Sequence, residues 1–211
     1  GDPQLRWWAL IQQHGAGSPM AEVLVAVARS LPQVVDDYAS KMYWTAKNRQ
    51  ESHFNHHQNA MLNEVRREAL SSASDAAVLA WWEPERMMYI HALQAQDAPL
   101  CTALAGDARG ISRATAAEMQ SEYLLRLVAL LDTLPEQEAR TLATPEQLFR
   151  DGQAHSRLMQ RAYQDLAGPQ AGRSQVWSPL QRCAFIVSVH RQLQGLPATQ
   201  RASMVRYLEL Q

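Results

Sequence analysis

Lysine is almost absent. Lys41 and Lys47 are the only two in 211 residues, and arginine carries the remaining positive charge. No stretch gathers enough basic side chains to grip a phosphate backbone, and the net charge is −1, so nucleic acid is not an expected partner. Long apolar runs are missing too. A long candidate, Leu124 to Leu131, is interrupted by Arg126. It falls well short of the ~18 residues a membrane helix needs, so no membrane span is expected.

Cofactor and catalytic motifs are equally scarce. The Gly15-Ala16-Gly17-Ser18 string lacks the strand and the lysine of a phosphate cradle and reads as a turn and cap, and no nucleophile elbow occurs. No cofactor is therefore expected. Cys101 and Cys183 are the only cysteines, too few for a structural zinc site. Their apolar neighbours suit either two buried thiols or a disulfide, and an even pair permits the bridge without requiring it. The start, Gly1-Asp2-Pro3, has no basic-then-apolar leader. It reads as a cytoplasmic chain or as the mature form of an exported one, with the periplasmic or secreted setting preferred. Abundant Ala and Arg, both with GC-rich codons, point to a GC-rich bacterial source.

What is present is helical punctuation. Ser18-Pro19, Thr144-Pro145 and Ser178-Pro179 each pair an N-capping side chain with a proline at the first helical position. Leu31-Pro32, Leu134-Pro135 and Leu196-Pro197 mark further boundaries, and Gly168-Pro169 and Gly195 read as stops. Between these marks the apolar residues recur at helical spacing: Met20, Val23, Leu24, Val27 and Leu31; then Met119, Tyr123, Leu127, Leu130 and Leu134; then Leu148, Met159, Ala162 and Leu166. Leu180 to Leu193 is apolar on nearly every side and reads as a central helix. Trp82-Glu83-Pro84-Glu85 reads as a helix end and restart. With 46% hydrophobic and 19% charged residues, the chain can bury a core. The expectation is an all-α, soluble, single-domain irregular multi-helix bundle over 1–211. About eight to ten helices of ordinary length are expected, with a loop at 168–178 before a closing helical hairpin.

Residues 33–71 hold neither proline nor glycine, yet their apolar phase changes. Val34, Val35, Tyr38 and Met42 share one face at ~100° per residue, and Tyr43, Trp44, Phe54, Met61, Leu62 and Val65 share the opposite one. Either the helix breaks between about Tyr43 and Ser52, or it runs unbroken between two layers. An unbroken helix places Lys47 and Glu51 as an i,i+4 ion pair.

Arg49-Gln50-Glu51-Ser52-His53-Phe54-Asn55 resembles the start of the catalytic motif of lytic transglycosylases with a lysozyme-like domain. The resemblance covers seven residues. It implies that Glu51 is a general acid and base cleaving peptidoglycan, with Ser52 beside it. The Gly-Leu-Met-Gln and Tyr-Asn-x-Gly strings of that family are absent. Catalysis by Glu51 would need a partly desolvated pocket, for which Tyr43, Trp44 and Phe54 are the candidates.

Several clusters have simpler readings. His53 and His57 share a helix face but have no third ligand nearby, and with His56 they read as a solvated rim; no metal site is expected. Asp36-Asp37 has no second acidic cluster to answer it. His155, His91 and His190 read as core histidines. In Trp7-Trp8 and Trp81-Trp82 the rings diverge by ~100°, so one of each pair can enter the core while the other stays at the rim. Trp7 and Trp82, with Arg6 and Arg86 nearby, are candidate binding residues alongside Tyr43, Trp44 and Phe54. The functional expectation is a non-catalytic helical protein that binds a protein partner, an envelope or secretion-associated immunity or accessory factor. The alternative is a peptidoglycan-cleaving glycosidase acting through Glu51.

Overall fold

The computed structural model describes residues 2–136, 143–167 and 177–210. Among them are ten α-helices and two 3-10 turns, with no strand. The helices are α1 (Pro3–His14), α2 (Pro19–Ser30), α3 (Pro32–Lys47), α4 (Glu51–Ser72), α5 (Asp75–Gln94), α6 (Ala98–Leu104), α7 (Arg113–Asp132), α8 (Pro145–Ala167), α9 (Pro179–Gln194) and α10 (Ala198–Glu209). The protein is all-α, as its periodicity predicts. Most of the loop expected at 168–178 lies outside the described residues.

The expected caps form. Ser18 accepts from the N–H of Ala21 at 3.2 Å, and Thr144 from that of Gln147 at 3.2 Å. Ser178 and Gln181 close a reciprocal capping box. Each satisfies N–H groups that a helix start leaves open, worth about 1 kcal/mol per cap.

The long segment 33–71 breaks. Arg49 donates its N–H to Ala46 O at 3.1 Å and Gln50 to Thr45 O at 2.9 Å, with Arg49 at φ +55°. This bond pair is the Schellman ending, usually built on glycine. The same geometry ends α5 at Gln96 (φ +50°) and α6 at Gly106 (φ +110°). Conversely, Pro84 does not end a helix: α5 runs through it. Proline removes one N–H and frees the carbonyl four residues back, that of Ala80. Ala80 and Pro84 both face solvent, so water can take the freed bond.

The chain packs as two compact units, one of residues 1–74 and 119–140, the other of 75–118 and 141–211. In the first, α3 lies against α1, α2 and α4. Trp7, Leu10, Val23, Leu24, Val27, Val34, Met42, Met61, Leu127 and Leu131 are fully buried, each large side chain worth about 2 kcal/mol. In the second, α9 lies against α5, α6 and α8, and α10 against α5 and α8. The two closing helices therefore pack mainly onto α5 and α8 and only lightly onto each other. Arg206 on α10, almost fully buried, donates to Asp75 on α5 at 2.6 Å. Asp151-Gly152, a dipeptide that often turns hairpins, sits inside α8. A Cβ at Gly152 would meet the Tyr207 hydroxyl of α10 at 3.2 Å, so the bare position permits close approach.

Candidate functional site

Helix α1 separates its two tryptophans as their 100° offset requires. Trp7 enters the core and donates its indole N–H to Leu24 O at 2.8 Å. Trp8 points outward, 55% exposed, and Leu5 one turn earlier is 70% exposed. Trp8 stands between two grooves. One, of about 420 Å³, is lined by Leu5, Trp8, Pro32, Val35, Asp2 and Asp36. The other, of about 450 Å³, is lined by Trp8, Ile11, Val25, Val128, Glu22 and Asp132. The result is an apolar ridge with grooves on both flanks and mostly carboxylates at the rim. Arg29 also lines the second groove and lies 3.5 Å from Asp132.

Tyr43 and Trp44 are brought together edge to face, ring centroids 5.2 Å apart. The Arg6 guanidinium sits 5.9 Å from the Tyr43 ring and 5.5 Å from the Trp44 ring, and it donates to the Ser40 hydroxyl. Lys47 Nζ lies 5.8 and 5.0 Å from the same two rings. The i,i+4 geometry expected for Lys47 and Glu51 is lost because the helix ends at Lys47, and the ammonium turns to the rings instead. Such cation–π contacts contribute about 0.5–1 kcal/mol at exposed sites.

Glu51 occupies the first position of α4 and is exposed, as are Ser52 and His53. It lines neither of the α1 grooves. Phe54 is half-buried near the His14 ring, with centroids 6.3 Å apart. Burial lowers the His14 pKa, opposed by the facing Gln58 amide, although Gln58 Oε1 and His14 Nε2 close no hydrogen bond.

In the second unit Trp81 and Trp82 are both buried, so Trp82 serves the core. Its ring meets His190 edge-on at 5.2 Å, and Tyr89 meets the same imidazole at 5.6 Å. His190 is 6% exposed, and its Nδ1 has no hydrogen-bond partner among the described residues. Burial pulls its pKa down to about 4; Arg86 adds to the effect and Glu83 opposes it. His91, expected in the core, is exposed. His155 is half-buried against the Tyr207 ring at 5.0 Å, while Leu148, expected on the apolar stripe of the same helix, faces solvent. Cys101 and Cys183 form a disulfide, Cα–Cα 5.7 Å, within a cluster including Tyr89, Ala92 and Val187. Among the described residues no group of three or more His, Cys, Asp or Glu side chains is placed to hold a metal ion, and no helix is long and apolar enough to cross a membrane.

Sequence reasoning passed over Leu5 and Trp8 as a pair. Both fall off the Trp7–Leu10–Ile11 face, about 60° apart around the helix, and that offset was their available signal. Fold and surface together define an all-α protein with an exposed aromatic helix face. Comparison with protein families, curated proteins and solved structures finds nothing that matches this chain.

Proposed function

We propose that the chain is a non-catalytic protein-binding protein that docks its partner through the outer face of α1. The observation that carries this reading is the exposed Leu5–Trp8 ridge between two grooves. Tryptophan contributes more to interfaces than its abundance suggests, because a large rigid ring entering a pocket loses little entropy. The carboxylates of Asp2, Glu22 and Asp36 around the ridge favour a partner whose receiving pocket is ringed by Arg or Lys. The Cys101–Cys183 bridge supports an oxidising setting, the periplasm or cell exterior, because cytosolic thiols are kept reduced. In that setting the chain is read as an envelope or secretion-associated accessory or immunity factor.

The test is crosslinking capture from the envelope fraction with wild-type protein and with Trp8→Ala, followed by reconstitution with the purified partner. The expected result is one partner whose affinity falls by about 30-fold or more on Trp8→Ala, a hot-spot loss of about 2 kcal/mol. A captured protein that binds both forms equally would overturn the assignment to α1.

A further inference from the structure

The second unit carries a larger groove of different chemistry. It lies between α8 and α10, with a volume of about 690 Å³. Arg150, Arg157 and Arg161 stand along its α8 wall, and Thr199, Gln200 and Ser203 supply amide and hydroxyl groups from α10. Leu158, Leu196 and Met204 give it apolar surface. Among the described residues, none of the three arginines is paired with a carboxylate: Arg150 donates to the neutral Gln147 Oε1 at 3.2 Å. The one carboxylate in the lining, Asp151, is held within the protein, accepting from Gln147 Nε2 at 3.0 Å and Ser203 Oγ at 3.1 Å. Three guanidinium groups without a carboxylate partner among the described residues therefore line one groove.

We propose that this groove takes an extended acidic peptide segment of a partner protein, with carboxylates on the arginines and apolar side chains against Leu158, Leu196 and Met204. Geometry supports the class. Arg157 and Arg161 are one helical turn apart, about 6 Å along the axis. Alternate residues of an extended peptide point the same way about 6.6 Å apart, so acidic residues two apart meet these two arginines. Arg150 lies about 10 Å further on, which makes the groove about five extended residues long. Guanidinium groups suit carboxylates because both are planar and can bond bidentately. A nucleic acid strand fits less well, since the groove lining offers no aromatic ring on which a base could stack.

The groove shares no lining residue with the two α1 grooves. The test measures fluorescence anisotropy of the full chain with a labelled peptide carrying Glu at alternate positions separated by Leu. A Gln-for-Glu peptide and an oligothymidylate of equal length serve as comparison probes. The expected result is binding of the acidic peptide that weakens with salt and falls by about tenfold in R157Q/R161Q, and by a similar factor for the Gln peptide. Both arginines are exposed, so circular dichroism of the variant is expected to match wild type. This assay varies only residues of α8 and uses a synthetic peptide, so its failure and that of the α1 reading are distinguishable. Equal binding of the Gln peptide, absence of acidic-peptide binding, or full affinity in R157Q/R161Q overturns the proposal. Tighter binding of oligothymidylate overturns it in favour of a phosphate groove.

Discussion

Gln50 donates its backbone N–H to the carbonyl of Thr45 at 2.9 Å, and to make that bond the intervening Arg49 adopts φ +55°. A side chain in that region costs about 1–2 kcal/mol relative to ordinary helical backbone, and glycine escapes the cost. Arg49→Gly is therefore expected to stabilise the protein by about 0.5–1 kcal/mol, after allowing for glycine's extra freedom when unfolded. Gln96→Gly should do the same at the end of α5. Urea midpoints measure both, and a loss of stability would show that the arginine makes a compensating contact.

His190 sets a pH dependence. Its pKa in the fold is about 4, against an ordinary value of 6.5, so the unfolded chain binds the proton more readily. Its contribution is fully present above pH 6.5 and is lost as pH falls towards 4, amounting to about 3 kcal/mol across the window. His190→Leu should flatten the fall in urea-derived stability between pH 7 and 4. Identical slopes for wild type and variant would mean that the imidazole is better solvated than its surroundings of Trp82, Tyr89, Arg86 and Glu83 imply.

The Cys101–Cys183 bridge spans 82 positions. Closing a loop of that length removes enough freedom from the unfolded chain to stabilise the fold by about 4 kcal/mol in the chain-entropy account. Thiol titration of denatured, unreduced protein should find no free thiol. Reduction, or Cys183→Ser, should lower the melting temperature by several degrees. Two titratable thiols in protein recovered from an oxidising compartment would contradict the bridge.

Glu51 heads α4 in solvent, where its charge favours the positive end of the helix by about 0.3–1 kcal/mol. Glu51→Gln is expected to cost no more than that. Wild-type protein is expected not to clear peptidoglycan in a turbidity assay from acidic to neutral pH. Clearing that vanishes in the variant would restore the glycosidase reading.

The starts of α2, α8 and α9 were legible because their devices are local: a hydroxyl cap and a proline complete one another within four residues. The ends at Arg49 and Gln96 were not, since neither position holds the glycine that usually announces such a turn. For 33–71, the change of apolar phase allowed either a break or an unbroken helix between two layers, and residue types alone did not choose between them. Pro84 misled because its cost depends on whether water reaches the Ala80 carbonyl, which the surrounding fold decides. The tryptophan pairs illustrate the same division. Spacing requires the rings to diverge, but Trp8 stays outside while both Trp81 and Trp82 are covered, and only tertiary packing distinguishes the cases. The two α1 grooves and the arginine-lined one draw on residues far apart in the chain, beyond the reach of any periodicity.

The interleaving of the two units governs how the molecule can be dissected. The chain passes from one unit to the other three times, at residues 74/75, 118/119 and 140/141, and the second crossing falls inside α7. Neither unit is a continuous piece of sequence. A fragment ending at Ser74 would forfeit the Leu127 and Leu131 side chains that are buried in the intact chain. One beginning at Asp75 would carry residues 119–140 without the helices they belong with. Limited proteolysis at a single site should leave the halves associated, and gene fragments cut at 118/119, the one crossing that divides both units, should fail to yield an independently folded unit.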